Sequence, residues 1–339
     1  MVAPADRTPG VFRVAVLDDY QQVATRFLRW TRPEQVAVAV FHDHVTDPDQ
    51  LAARLTGFDG VVVMRERTPL TAELFDLLPS LRLIVTAGFQ NALIDLEAAR
   101  RNGIVVCGTR GWASVVSTVE HTWALILGMA RRVAVEDAAV RAGGWQRGLA
   151  TGLQGRRLGI VGLGTFGALV VPVARALGME VVAWSRNLTA QRAEEVGIVA
   201  VSREELFSTS QVVTVHIKLS ERSRGYVGRD ELALMAPGSL LVNTSRGPVV
   251  DERALVEALR SGRLAGAALD VFDEEPLPVD SELRLLPNVV LSPHHAYAND
   301  ASYEDYFTQI VEDVEAFVAG NPIREVGTIR PPAEDPPVA

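Results

Sequence analysis

The sequence predicts an α/β protein built of two doubly wound parallel-sheet domains. Three observations carry that expectation. Short β-branched apolar runs alternate with amphipathic stretches through most of the chain, which is what a parallel sheet with helices on both faces produces. One long helical stretch interrupts the alternation and separates an earlier series from a later one. The length, 339 residues, exceeds one typical domain and lets two bury separate cores.

The first series places strands at 12–17, 36–41, 60–64, 83–86 and 104–107. Asp47-Pro48 opens a helix, a capping side chain followed by proline in the first turn. Thr71-Ala72-Glu73 opens another, and residues 95–101 form a third that Gly103 stops. A long helix is expected over 117–141, ended by Gly143-Gly144. The second series has strands at 158–162, 180–184, 212–217, 239–243, 266–271 and 288–291. A last helix spans 301–319, with Gly320 as its stop, and the Pro- and acid-rich tail 331–339 is expected to be disordered.

Composition narrows the function classes. A net charge of −9 disfavours a nucleic-acid face. Cys107 is the only cysteine, so neither an internal disulfide nor a thiolate metal cage is available; no metal is expected, and a reducing cytoplasm fits. Met1 to Gly10 is polar, without the apolar core of a signal peptide, and no apolar run has the length of a membrane span. Lys218 is the only lysine. A phosphate-loop Gly-Lys-Ser/Thr and a Tyr-x-x-x-Lys pair are therefore both missing.

Gly162-Leu163-Gly164-Thr165-Phe166-Gly167 is a G-x-G-x-x-G run between a strand and a helix, with a second strand following. Gly162 permits the turn, Gly164 lets backbone approach a pyrophosphate, and Gly167 lets helix and strand pack closely. The N–H groups of Thr165 and Phe166 then face phosphate at a helix N-terminus. This reads as a Rossmann-like dinucleotide site. The place of the usual ribose-binding carboxylate, 23 residues past Gly162, holds Ser185, followed by Arg186. A hydroxyl and a guanidinium suit a 2′-phosphate, so NADP(H) is favoured. NAD is the alternative, with Ser185 on the ribose and Arg186 stacked on adenine.

Three further clusters end successive strands of the second series: Asn243-Thr244-Ser245-Arg246, then Asp270 to Glu275 before Pro276, then Ser292-Pro293-His294-His295. Each is open to a structural reading alone. Together they supply what hydride transfer at C2 of a 2-hydroxy acid requires. An arginine binds the carboxylate, a histidine exchanges the hydroxyl proton, and a carboxylate orients that histidine and favours its charged form.

Over residues 14–324 this ordered set resembles the D-isomer-specific 2-hydroxyacid dehydrogenases, a family that includes D-3-phosphoglycerate dehydrogenase and the glyoxylate/hydroxypyruvate reductases. The resemblance implies that Arg246 orients the substrate, His294 is the acid/base and Glu275 its partner. It implies Asp270 at the nicotinamide amide, His216 on the adenine side, and Thr244 and Ser245 among the cofactor contacts. In the first series, Gly88, Phe89 and Gln90 correspond to a loop whose N–H groups bind the substrate carboxylate, and Arg65, with Arg67, to a pair near the substrate. The implied architecture is a discontinuous, flavodoxin-like substrate domain of residues 1–107 plus 299–330. A dinucleotide-binding domain of residues 108–298 lies across a cleft from it, and the long helix serves a homodimer. The sequence departs from the family pattern at Ser185, at Phe89-Gln90, and at His295, where an aliphatic residue is usual. Two other readings stay open: a dinucleotide-sensing module that binds a partner protein without turnover, and a phosphoglycerate oxidant of serine synthesis.

Overall fold

The computed structural model describes residues 10–88 and 90–326 and divides into two units. One unit holds the chain up to Ala113 and from Asn299 onward; the other is Ser114–Ala298. Phe89 and the tail 331–339 lie outside the described residues.

In the first unit β1 (Phe12–Val16), β2 (Val36–Val40), β3 (Gly60–Val63), β4 (Leu83–Thr86) and β5 (Val105–Gly108) form one sheet in the order β2-β1-β3-β4-β5. Every pairing is parallel. β3 and β4 are buried along their whole length, so they read as unbroken apolar runs rather than alternating ones. The capping signals act as the residue types dictate. Asp47 accepts the Gln50 N–H at 2.8 Å and Asp95 that of Ala98 at 2.8 Å, each filling one orphan donor at a helix start. The helix Asp300–Val318 belongs to this unit. It buries Tyr306, Phe307, Ile310 and Val314, with Phe307 stacked on Phe27 at 6.1 Å between ring centroids.

The second unit contains β6 (Arg157–Val161), β7 (Glu180–Trp184), β8 (Val199–Ala200), β9 (Val212–Val215), β10 (Ser239–Asn243), β11 (Leu264–Leu269) and β12 (Val289–Leu291). Their order is β12-β11-β10-β9-β6-β7-β8, again parallel throughout. The order reverses between β6 and β9, the switch point where open α/β sheets hold ligands at strand C-termini. Separate apolar clusters cover its two faces, one centred on Ile126, Leu158 and Val170, the other on Phe207, Leu241 and Leu255.

One expectation is corrected. The single helix over 117–141 is two, Trp112–Ala130 and Val133–Arg141. Arg132 takes a left-handed φ of 58°, and the Ala130 carbonyl accepts the Thr151 N–H at 2.8 Å instead of continuing the helical ladder. Neither glycine nor proline marks the break. The two-residue β8 carries too little pattern to be seen in the sequence.

Candidate functional site

The Gly-rich turn leaves β6 and enters the twelve-residue helix Thr165–Ala176. Its three glycines face different surroundings. A Cβ on Gly162, at φ 100°, would lie 2.7 Å from the His216 carbonyl oxygen, and one on Gly167 would collide with the Gly162 carbonyl. A Cβ on Gly164 would meet nothing within 4 Å. Gly164, Thr165 and Phe166 are exposed. The turn is thus tight where strand and helix meet and open at the helix N-terminus, where the free N–H groups and the dipole favour an anion. That arrangement fits a dinucleotide pyrophosphate.

Ser185 follows β7 and accepts the Leu163 N–H on its Oγ at 2.6 Å, tying it to the Gly-rich turn; its own hydrogen remains to donate. Arg186 is exposed and makes no ion pair among the described residues. His216 shares a 2.9 Å hydrogen bond between Nε2 and Thr214 Oγ1, and burial pushes its pKa down to about 4, leaving it neutral near pH 7.

The structure joins His294 to Glu275. Nδ1 and Oε2 lie 2.6 Å apart, and Glu275 Oε1 accepts the Phe272 N–H at 2.9 Å. A carboxylate only accepts, so Nδ1 donates and the outer nitrogen, Nε2, is without a partner among the described residues. His294 sits at φ 50°, a left-handed conformation that costs a non-glycine residue about 1–2 kcal/mol. Its surroundings enforce it. Asp270 accepts three successive N–H groups: His294 on its carbonyl at 2.7 Å, His295 on Oδ1 at 2.8 Å and Ala296 on Oδ2 at 3.0 Å. Ser292 adds a 2.5 Å donation to Oδ1. Asp270, expected at the nicotinamide, is fully buried and gives both oxygens to this loop. Burial pushes its pKa up, but the hydrogen bonds from His121, Ser292 and His295 outweigh it and hold the carboxyl below its usual range.

Arg246 ends the neighbouring β10 loop. Asn243 folds that loop, accepting Ser245 N–H and Oγ–H on Oδ1 at 3.0 and 2.7 Å and donating Nδ2 to the Arg246 carbonyl at 3.0 Å. Arg246 Nη1 donates to the Ser245 carbonyl at 2.7 Å. A Cβ on Gly247 would collide with the Phe272 carbonyl, so this glycine lets the loops after β10 and β11 touch. Strand order places the three loops after β10, β11 and β12 side by side on one edge.

Sequence reasoning missed the residues behind that edge. Ser117, His121 and Thr122, on the helix Trp112–Ala130, bond the Ala296 carbonyl at 2.8 Å, Ser292 Oγ at 2.8 Å and Thr244 Oγ1 at 2.9 Å. Their signal in sequence is a polar i, i+4, i+5 set, Ser117, His121 and Thr122, beside the apolar Val119, Trp123, Leu125 and Ile126 that the same helix buries.

In the first unit the Gly88 N–H, expected toward a substrate carboxylate, donates to Thr109 Oγ1 at 2.8 Å. Gln90 is exposed. Arg65 has a left-handed φ of 55°, its Nη1 donates to Tyr306 Oη at 3.4 Å, and its carbonyl accepts Asn91 Nδ2 at 2.6 Å. Arg67 donates Nη1 to the Asp18 carbonyl at 2.5 Å and lies over the Tyr20 ring.

The second unit's sheet order and glycine turn define a Rossmann-type dinucleotide-binding domain. Residues 123–296 match the family described as D-isomer specific 2-hydroxyacid dehydrogenase, NAD binding domain. The chain belongs to that family. A glyoxylate reductase of Korarchaeum cryptofilum is 35% identical over 316 residues, covering 89% of this chain and 91% of that protein. A D-3-phosphoglycerate dehydrogenase of Archaeoglobus fulgidus is 35% identical over 278 residues, covering 81% of this chain and 52% of that protein. The chain thus spans about half the length of that relative. Among solved structures, a phosphoglycerate oxidoreductase from Vibrio cholerae O395 superposes with a TM-score of 0.86 at 35% identity, covering 91% of this chain and 100% of that one. Among the described residues no helix is long and apolar enough to cross a membrane.

Proposed function

We propose that the protein is a nicotinamide-dependent D-2-hydroxyacid dehydrogenase that reduces a small 2-keto acid, with His294 as acid/base, Glu275 as its partner and Arg246 as the carboxylate anchor. The observation that carries the reading is the 2.6 Å His294–Glu275 contact, which leaves one imidazole nitrogen without a partner on the edge where the dinucleotide turn opens. When bound, the reduced nicotinamide supplies the hydride that C2 of the keto acid receives. His294 gives its Nε2 proton to the carbonyl oxygen, and Glu275 holds the ring and balances the imidazolium charge. Arg246 forks onto the substrate carboxylate. Arg65, Phe89 and Gln90 are assigned to substrate recognition; Gly88, whose N–H is held by Thr109 Oγ1, is assigned to shaping that loop. Thr244 and Ser245 are assigned to the cofactor, as is Asp270, which also secures the His294 loop.

The cofactor is NADP(H) in this reading, because Ser185 and the exposed Arg186 stand where a carboxylate would repel a 2′-phosphate. The helix pair running from Trp112 to Arg141 is assigned to a homodimer; Trp112, Val116, Val133 and Val140 expose apolar surface there. The single, buried Cys107 agrees with a cytoplasmic protein. A panel of glyoxylate, hydroxypyruvate and longer keto acids, run in parallel with NADH and NADPH, tests the reading. Loss of reduced-nicotinamide absorbance, faster with NADPH, is expected. Tight dinucleotide binding with no turnover across the panel contradicts it and favours a dinucleotide-sensing module.

A further inference from the structure

We propose that His121 is a positioning residue for the acid/base: through Ser292 and Asp270 it holds the 292–296 loop in the conformation that presents the His294 imidazole. The proposal rests on the role of His294 given above.

The hydrogen bonds fix who donates. Ser292 has one hydroxyl hydrogen, and it goes to Asp270 Oδ1 at 2.5 Å. Ser292 Oγ, 2.8 Å from His121 Nε2, therefore accepts, and Nε2 carries the proton. The same Nε2 lies 3.3 Å from Asp270 Oδ1, so one imidazole N–H braces both the serine and the buried carboxylate. That carboxylate and its residue's carbonyl in turn hold the N–H groups of His294, His295 and Ala296. The left-handed backbone of His294 persists only while these bonds over-determine it.

The neighbours on the helix act alike. Ser117 Oγ donates to the Ala296 carbonyl, at the far end of the same loop. Thr122 gives its hydrogen to the Thr118 carbonyl at 2.8 Å, so Thr244 donates to Thr122. One helix face thereby clamps the loops after β10 and β12 and the aspartate ending β11. The His295 ring completes the surroundings of His121, edge-on at 6.2 Å.

Two variants separate positioning from bulk. His121→Phe keeps a ring and loses the donor; His121→Gln keeps an amide donor at similar reach. The measurements are kcat and KM for a keto acid of the panel, the dissociation constant of the reduced dinucleotide, and amide hydrogen exchange across 292–298. H121F is expected to lower kcat about 10- to 100-fold, the scale of a misplaced catalytic group. KM should stay near wild type, dinucleotide affinity should fall far less than kcat because Asp270 is braced through the same link, exchange at His295 and Ala296 should accelerate, and H121Q should recover most of the loss in kcat and in protection. Wild-type kcat and exchange in H121F overturn the proposal, as does a loss that H121Q does not recover or that falls equally on dinucleotide binding. If H121F does not fold, Ser292→Ala, which cuts the same link, must give the same pattern, and wild-type exchange there overturns it. Absence of turnover in the wild-type protein contradicts the role of His294. Wild-type turnover with an indifferent H121F contradicts only the brace.

Discussion

Gly164 and Gly167 make opposite demands within one helical turn. The first faces open space where the proposed pyrophosphate lies, the second the Gly162 carbonyl. Gly164→Ala is therefore expected to leave the melting temperature unchanged and to weaken dinucleotide binding. Gly167→Ala is expected to cost stability on the order of 1–3 kcal/mol, as overpacking does. Calorimetry and a dinucleotide titration on both variants check the pair; equal effects on the two properties contradict it. The glycine spacing was legible because each position answers to a backbone constraint. The choice between His294 and His295 was less so, since adjacent residues in extended chain point opposite ways. What directs His294 to Glu275 is its left-handed φ, held by Asp270, and no sequence pattern announces a left-handed histidine.

At the scale of elements, strands were read well because buried parallel strands are continuous apolar runs. The failures have local causes. Arg132 breaks a helix without glycine or proline, and the polar stripe of Ser117, His121 and Thr122 has meaning only once the helix lies behind the strand loops. The final helix carries a testable feature of its own. Asp313 is buried in it, and burial pushes its carboxyl up to about 7 although Arg324 donates to it at 2.9 Å. A carboxyl raised on folding is protonated more in the native than in the unfolded chain, so its contribution to stability falls as pH rises from about 4 to about 7, by roughly 1.4 kcal/mol per unit of separation. His216, lowered to about 4, acts oppositely and withdraws stability as pH falls through the same range. Urea unfolding of wild type and Asp313→Asn at pH 5 and pH 8 isolates the first effect. Wild type should lose more stability than the variant on going to pH 8; parallel losses contradict the assignment.

At the scale of the molecule, the chain leaves its first unit at Ala113 and returns at Asn299. Periodicity located the returning helix and its stop at Gly320, but not which sheet it covers. That destination follows from Phe27 packing on Tyr303 and Phe307, contacts far apart in sequence. The functional edge behaves likewise. Arg246, Glu275 and His294 were visible as residue types ending three strands, and the strand order sets their loops side by side. The central claim is that His294 exchanges the proton while hydride reaches C2. Its most direct test is kcat for His294→Ala on a keto acid that the wild-type protein reduces, with dinucleotide affinity measured alongside. A fall of ~10²–10⁴-fold with dinucleotide affinity intact is predicted; a kcat close to wild type would contradict the claim.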